Sequence, residues 1–214
     1  MLPNAMTPAE AAKDIYQIKV TLDNAHLPIW RRVLVPSTYT FSDLHMLIQA
    51  AYGWQNCHLH QFSISLEANK KIFIVGQDVE NDYDANEVSS EIRMDELSTT
   101  LADVIPKMAK ELKYEYDFGD SWSHTLVLER KIGCETNRRY PACIDGESAG
   151  PPEDCGGVSG YEQLCRVMMN PDNAEYKETL KWLGIKSGEG YDPRRLDFSE
   201  INTRLASESR EQLA

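Results

Sequence analysis

Three histidines and two pairs of carboxylates are the side chains of this 214-residue chain whose types and spacing suit chemistry. His58 and His60 stand as His-x-His in "CHLHQF", and on a strand the two-residue period sends both to one face. His124 closes the stretch "YEYDFGDSWSH", which also carries Asp117 and Asp120, while Glu153 and Asp154 stand in "PPEDCGG". Neutral imidazoles and carboxylates are donors that zinc accepts in a tetrahedral site, and zinc turns a bound water into a nucleophile at neutral pH. One reading is therefore a metal-dependent hydrolase built on His58, His60 and His124, with Asp120 or Glu153 as a further ligand or base. It requires the His-x-His strand and the hairpin around Gly119 to be neighbours. The plainer reading, which the pattern favours, has His58 and His60 open a strand continued by Phe62 and Ile64. They then sit at the rim of the core, bonded to backbone or carboxylate, and no divalent metal such as zinc is needed.

Cys155 precedes Gly156 and Gly157, whose amides could stabilise an oxyanion beside a thiolate. The simpler role of those glycines is to permit positive φ in a tight loop. The Asp-Phe-Gly at 117–119 invites comparison with protein kinases, but the glycine-rich strand-turn-strand, strand lysine and His-Arg-Asp loop of a kinase do not precede it.

The hairpin at 114–124 has two possible registers. A two-residue turn at Gly119-Asp120 places Glu115, Asp117, Trp122 and His124 on one face, a carboxylate-imidazole cluster. A three-residue loop, Phe118-Gly119-Asp120, opposes Tyr116 to Trp122 and Tyr114 to His124 instead. Because a slip of one residue exchanges the faces, the apolar pattern decides, and it favours the three-residue loop with His124 packed among aromatics.

Around these residues the chain reads as strands followed by helices. "IYQIKVTL" alternates as a strand, and "HLPIWRRVLVP" is a second strand between two prolines, with Trp30 packed and Arg31 outside. Leu44, Leu47, Ile48 and Ala51 form a helical stripe, with Ser42 as the expected N-cap, a Phe41–Met46 staple and Gly53 as the stop. "HLHQFSISL" and "KIFIVG" are strands, and the acidic stretch at 77–96 reads as a solvated loop, since Asp78, Asp82 and Asp84 lack the glycine and terminal glutamate of a calcium loop. "TTLADVIP" is a short helix. Residues 141–160, with three prolines and five glycines, read as one long loop, of the kind that often carries function. Helices follow, the first capped by Ser159, the second closed by Gly184, the last over about 199–205. Trp30, Trp54 and Trp182 are expected in the core.

The predicted class is α+β, a mainly antiparallel sheet from the first two thirds packed with helices and a helical C-terminal third. Residues 1–13 read as a loose leader, 14–206 as one domain and 207–214 as a polar tail. The net charge of −12 disfavours nucleic acid as a partner. No run of the sequence has the length of a membrane span, and five cysteines without a Cys-x-x-Cys pair fit reduced thiols, so a cytoplasmic protein is expected.

The ordered blocks "PIWRRVLVP", "LHMLIQAAYGWQNCHLHQF", "YEYDFGDSWSHTLVLE" and "YPACIDGESAGPPEDCGGVSGYEQL", with "WLG" and "YDPRRLDFSEIN", resemble the plasmid pRiA4b ORF-3-like family over roughly residues 14 to 205. The resemblance implies an α+β fold, a cytoplasmic setting and association with mobile elements, but no reaction. A DNA-associated accessory protein of a mobile element is the third reading it admits. The leading expectation is a noncatalytic module that binds a protein or small ligand in a groove beside the hairpin and the 141–160 loop, lined by Asp117, Asp120, Glu153 and Asp154.

Overall fold

A computed structural model of the chain describes residues 14–66, 70–80, 91–108, 111–186 and 191–211. The first half holds β1 (Asp14–Leu22), β2 (Trp30–Pro36), α1 (Phe41–Tyr52), β3 (His60–Ser65), β4 (Lys71–Val75), the single turn α2 (Gln77–Glu80) and β5 (Glu91–Asp95). Then come α3 (Leu101–Met108), β6 (Glu111–Tyr116), β7 (Trp122–Gly133), β8 (Ala142–Glu147), α4 (Gly157–Met168), α5 (Tyr176–Trp182) and α6 (Phe198–Glu211). The eight strands form one sheet in the order β5-β4-β3-β6-β7-β1-β2-β8. All neighbours are antiparallel except β4 and β5, so the fold is α+β with a mixed, mostly antiparallel sheet.

Alternation assigns the two faces. Val20, Phe62, Ile64, Leu112, Tyr114, Tyr116, Trp122 and Leu126 are buried on one face, where they meet Phe41, Leu44 and Ile48 of α1 and Ile201 and Leu205 of α6. The other face is largely polar and cross-linked, apart from a small apolar cluster of Ile15, Leu34 and Tyr140. Arg32 bonds both carboxylate oxygens of Glu129 and pairs with Asp145, and Gln61 donates to Glu115.

Several boundaries differ from the sequence reading. Thr40, not Ser42, caps α1: its hydroxyl accepts from the Asp43 amide at 3.1 Å, and Asp43 returns a bond to the Thr40 amide at 2.8 Å. This capping box makes Phe41 the first helical residue, buried rather than outside as a staple. Gly53 ends the helix at φ 83, as its spacing predicts. The stretch 141–160 is not one loop. Its start is the edge strand β8, where Gly146 sits so close to the Trp30 carbonyl that a side chain would collide, and its end is α4, which begins at Gly157 rather than after Ser159. The last third therefore opens with a strand, and α6 runs on through Glu211. Of the acidic stretch, Asp82 and Asp84 lie outside the described residues, as does the leader 1–13. Asp78 belongs to α2, and Glu91–Asp95 form β5.

Arg31 reverses its expected side. It is 1% exposed, while Trp30 lies half-buried on the polar face between Lys19 and Arg32. The guanidinium donates to the carbonyls of Ala51 at 3.0 Å, Trp30 at 2.9 Å and Glu147 at 3.1 Å and lies 5.0 Å from the Tyr52 ring. Arg204 donates likewise to the Ala50 carbonyl. The last turn of a helix leaves carbonyls without intrahelical donors, at its negative dipole end, so two buried or half-buried cations suit this position.

Candidate functional site

The hairpin adopts the three-residue register, with Tyr116 opposite Trp122 and Tyr114 opposite His124. Tyr114, Tyr116, Trp122, His124 and Leu126 are all fully buried on one face, so the apolar pattern did select the pairing. The chain leaving α1 lies across this face. Trp54 stacks between Tyr52 and Tyr116, with ring centroids 5.2 and 5.0 Å away, and its indole N–H donates to the Pro151 carbonyl. That bond brings the 151–157 loop onto the hairpin.

Three loops consequently meet: 54–59, 117–121 and 151–157. Glu153 reaches inward, and its Oε1 accepts from the Tyr116 hydroxyl and the Gln55 amide, each at 2.9 Å. Its Oε2 is buried with no hydrogen-bond partner among the described residues. Burial and the Glu153 carboxylate push the Tyr116 hydroxyl far above the usual phenol range. Asp154, one residue on, points outward, and its Oδ1 lies 2.9 Å from His58 Nε2. Asp117 Oδ2 faces the same nitrogen at 3.7 Å, while its Oδ1 accepts from the Gly119 amide. Asp120 Oδ2 accepts from the Gly156 amide at 3.0 Å, and a Cβ at Gly157 would fall 2.5 Å from the Asp120 carbonyl oxygen. The Gly-Gly pair therefore serves the close approach of two loops.

Asn56, Asp117 and Asp154 all hold positive φ, at 54°, 55° and 53°. Asparagine and aspartate are the non-glycine residues that tolerate this left-handed conformation best, which suits them to these tight loops.

The structure does not bring His58, His60 and His124 together. The hairpin does neighbour β3, but β6 is the adjacent strand, and His124 stands one strand further on, beyond Tyr114. Two strand spacings amount to ~9.5 Å, too far for one ion. His60 stacks face to face on His45, with centroids 3.4 Å apart, and its Nε2 lies 2.7 Å from Glu96 Oε2. His124 Nδ1 lies 3.0 Å from the Trp122 carbonyl, and burial pushes its pKa down to about 4. Burial, with His60 alongside, takes His45 down to about 3. Cys155 is a poor nucleophile, since burial and then the Asp120 carboxylate push its thiol up to about 12.

Beyond Asp154 the surface hollows into a groove of about 460 Å³ between the 151–157 loop, α4 and α5. Leu164 and Val167 form an apolar floor, Asp154, Glu175 and Glu178 supply carboxylates, and Trp182, expected in the core, stands 51% exposed along it. Of Asp117, Asp120, Glu153 and Asp154, Asp154 borders this concavity, while Asp117, Asp120 and Glu153 bond within the three loops beside it.

Glu175, Glu178 and the outward face of Trp182 escaped the sequence reading, because it places the helix closed by Gly184 but not how that helix packs against α4. It also missed His45, whose signal was present. Phe41, His45, Ile48 and Tyr52 recur at helical spacing, so His45 falls on the apolar stripe.

An α+β protein with a mixed, mostly antiparallel eight-stranded sheet and three loops meeting at the end of its central hairpin is the class that these features define. The chain belongs to the plasmid pRiA4b ORF-3-like protein family, whose pattern it matches over residues 14–200. It is 34% identical over 191 residues to the uncharacterized protein y4hQ of Sinorhizobium fredii (strain NBRC 101917 / NGR234), spanning 88% of this chain and 89% of the relative. Its fold is similar to the crystal structure of a protein of unknown function, MM3350 from Methanosarcina mazei Go1. The TM-score is 0.73 at 32% identity, covering 89% of this chain and 98% of that one. Among the described residues, no helix is long and apolar enough to cross a membrane.

Proposed function

We propose that this protein is a noncatalytic cytoplasmic binding module that takes a positively charged ligand, a basic protein segment or a small organic cation, in the groove beside Asp154. The observation that carries the reading is the composition of that groove: three carboxylates, an apolar floor and a half-exposed indole in one concavity. Carboxylates attract a cation, an indole face adds cation–π attraction, and the floor accepts the alkyl stem of a lysine or arginine. The net charge of −12 steers cations toward the whole molecule. Five free cysteines support a reducing compartment.

The test is a titration with an oligolysine peptide followed by Trp182 fluorescence, with Trp182→Phe as the control that identifies the reporting residue. Binding should weaken steadily with added salt, because exposed charges are screened over ~10 Å at 0.1 M. Glu178→Gln should weaken it by up to about fivefold, the effect of one exposed ion pair. An absence of binding at low salt, or binding indifferent to Asp154→Asn, Glu175→Gln and Glu178→Gln combined, would remove the reading.

A further inference from the structure

We propose that His58, Asp117 and Asp154 form a binding site for one divalent first-row metal ion, with zinc as the best fit. The site shares Asp154 with the groove but does not rest on it. His58 Nε2 faces two carboxylate oxygens, Asp154 Oδ1 at 2.9 Å and Asp117 Oδ2 at 3.7 Å. An imidazole nitrogen carries one hydrogen at most and can satisfy only one of them. A cation placed among the three atoms attracts both carboxylates and uses the nitrogen lone pair.

The spacing suits an ion of this size. With zinc–ligand distances near 2.0–2.1 Å, neighbouring donors of a tetrahedron stand roughly 3.4 Å apart. The separations of 2.9 and 3.7 Å bracket that value, and the three donor atoms lie within 4.8 Å of one another. One imidazole and two carboxylates leave a fourth position for water and match the nitrogen and oxygen preference of zinc, cobalt and manganese.

The surroundings fit a charged ligand as well. Asp117 is only 14% exposed at its side chain, so its carboxylate faces His58 with little water to screen it. Next to the cluster, the buried Glu153 Oε2 lacks a partner among the described residues, and Cys57, His58 and Glu153 make a second set of donors within 4.8 Å. The surplus of negative oxygen around a single imidazole is what a divalent cation would neutralise.

The experiment uses the full chain, stripped with chelator and dialysed, then titrated with zinc by calorimetry and with cobalt by visible absorption. One equivalent should bind, with cobalt giving a d–d band, and zinc should raise the melting temperature. His58→Gln and Asp117→Asn should each weaken binding by more than about 100-fold, beyond the loss typical of an outer-shell partner. Asp154→Asn, at a side chain 66% exposed, should weaken it as well. His60→Gln should leave it unchanged. Circular dichroism of each variant separates a lost ligand from a lost fold. No uptake by the wild-type chain would overturn the proposal. So would uptake retained in all three variants, or uptake abolished by Cys57→Ser but not by Asp117→Asn, which would assign the ion to the neighbouring set.

Discussion

The hydroxyl of Tyr116 donates to Glu153 Oε1 across 2.9 Å, joining the central hairpin to a loop 37 residues further along the chain. Tyr116→Phe deletes that donor and leaves the half-buried carboxylate with the Gln55 amide and the Cys57 thiol. The expected cost is about 1–3 kcal/mol by urea denaturation, the range for leaving a buried polar group short of a partner. Glu153→Gln should cost less, because its amide oxygen still accepts from Tyr116. The reverse order would show that charge rather than the hydroxyl holds the seam.

The two faces of the hairpin should respond differently to substitution. Trp122 is wholly buried against the other aromatics, so Trp122→Ala should cost ~3–5 kcal/mol. Asp117→Asn keeps an oxygen for the Gly119 amide and should change stability by less than ~1 kcal/mol. Paired denaturation curves check both values.

Acid should destabilise the fold through its buried histidines. Burial holds His124 at about 4 and His45 at about 3, whereas the unfolded values lie near 6.5. Between those limits the unfolded chain binds protons that the folded chain does not, so stability falls as pH drops from about 6.5 toward 4. The slope should reach about 1.4 kcal/mol per pH unit for each histidine, levelling off for His124 below its folded pKa. His124 faces Tyr52 and Trp54 from the α1 side and Tyr114 on β6, with the charges of Asp23 and Arg31 nearby. His124→Phe should remove its share of the slope; an unaltered slope would mean that His124 is already charged in the fold.

Two glycines with similar backbones separate conformational strain from steric collision. Gly157 has φ 66°, and a Cβ there would sit 2.5 Å from the Asp120 carbonyl oxygen; Gly184 has φ 67° with nothing within 4 Å. Alanine at Gly184 should cost about 1 kcal/mol. At Gly157 it should cost more and break the Asp120–Gly156 bond, seen as faster amide exchange at Gly156.

The features legible in the sequence rest on periodicity. The alternation of Tyr114, Tyr116, Trp122 and His124 chose the hairpin register, and the ordered blocks identified the family. What escaped depends on tertiary partners. Arg31 reads as a surface cation until the carbonyl end of α1 is placed over it. His58 and His60 share a strand period, yet His58 precedes β3 and turns to Asp154, while His60 turns to Glu96. β8 was hidden because Gly146 and the preceding Pro141 look like loop, a composition that an edge strand tolerates.

The most direct test of the central claim is a two-dimensional amide NMR titration of the full chain with oligolysine at low salt. Shifts should concentrate at 153–167 and 175–182, including the Trp182 indole, and be reversed by added salt. Shifts confined to the polar sheet face around Arg32, Glu129 and Asp145, or no shifts at all, would contradict it.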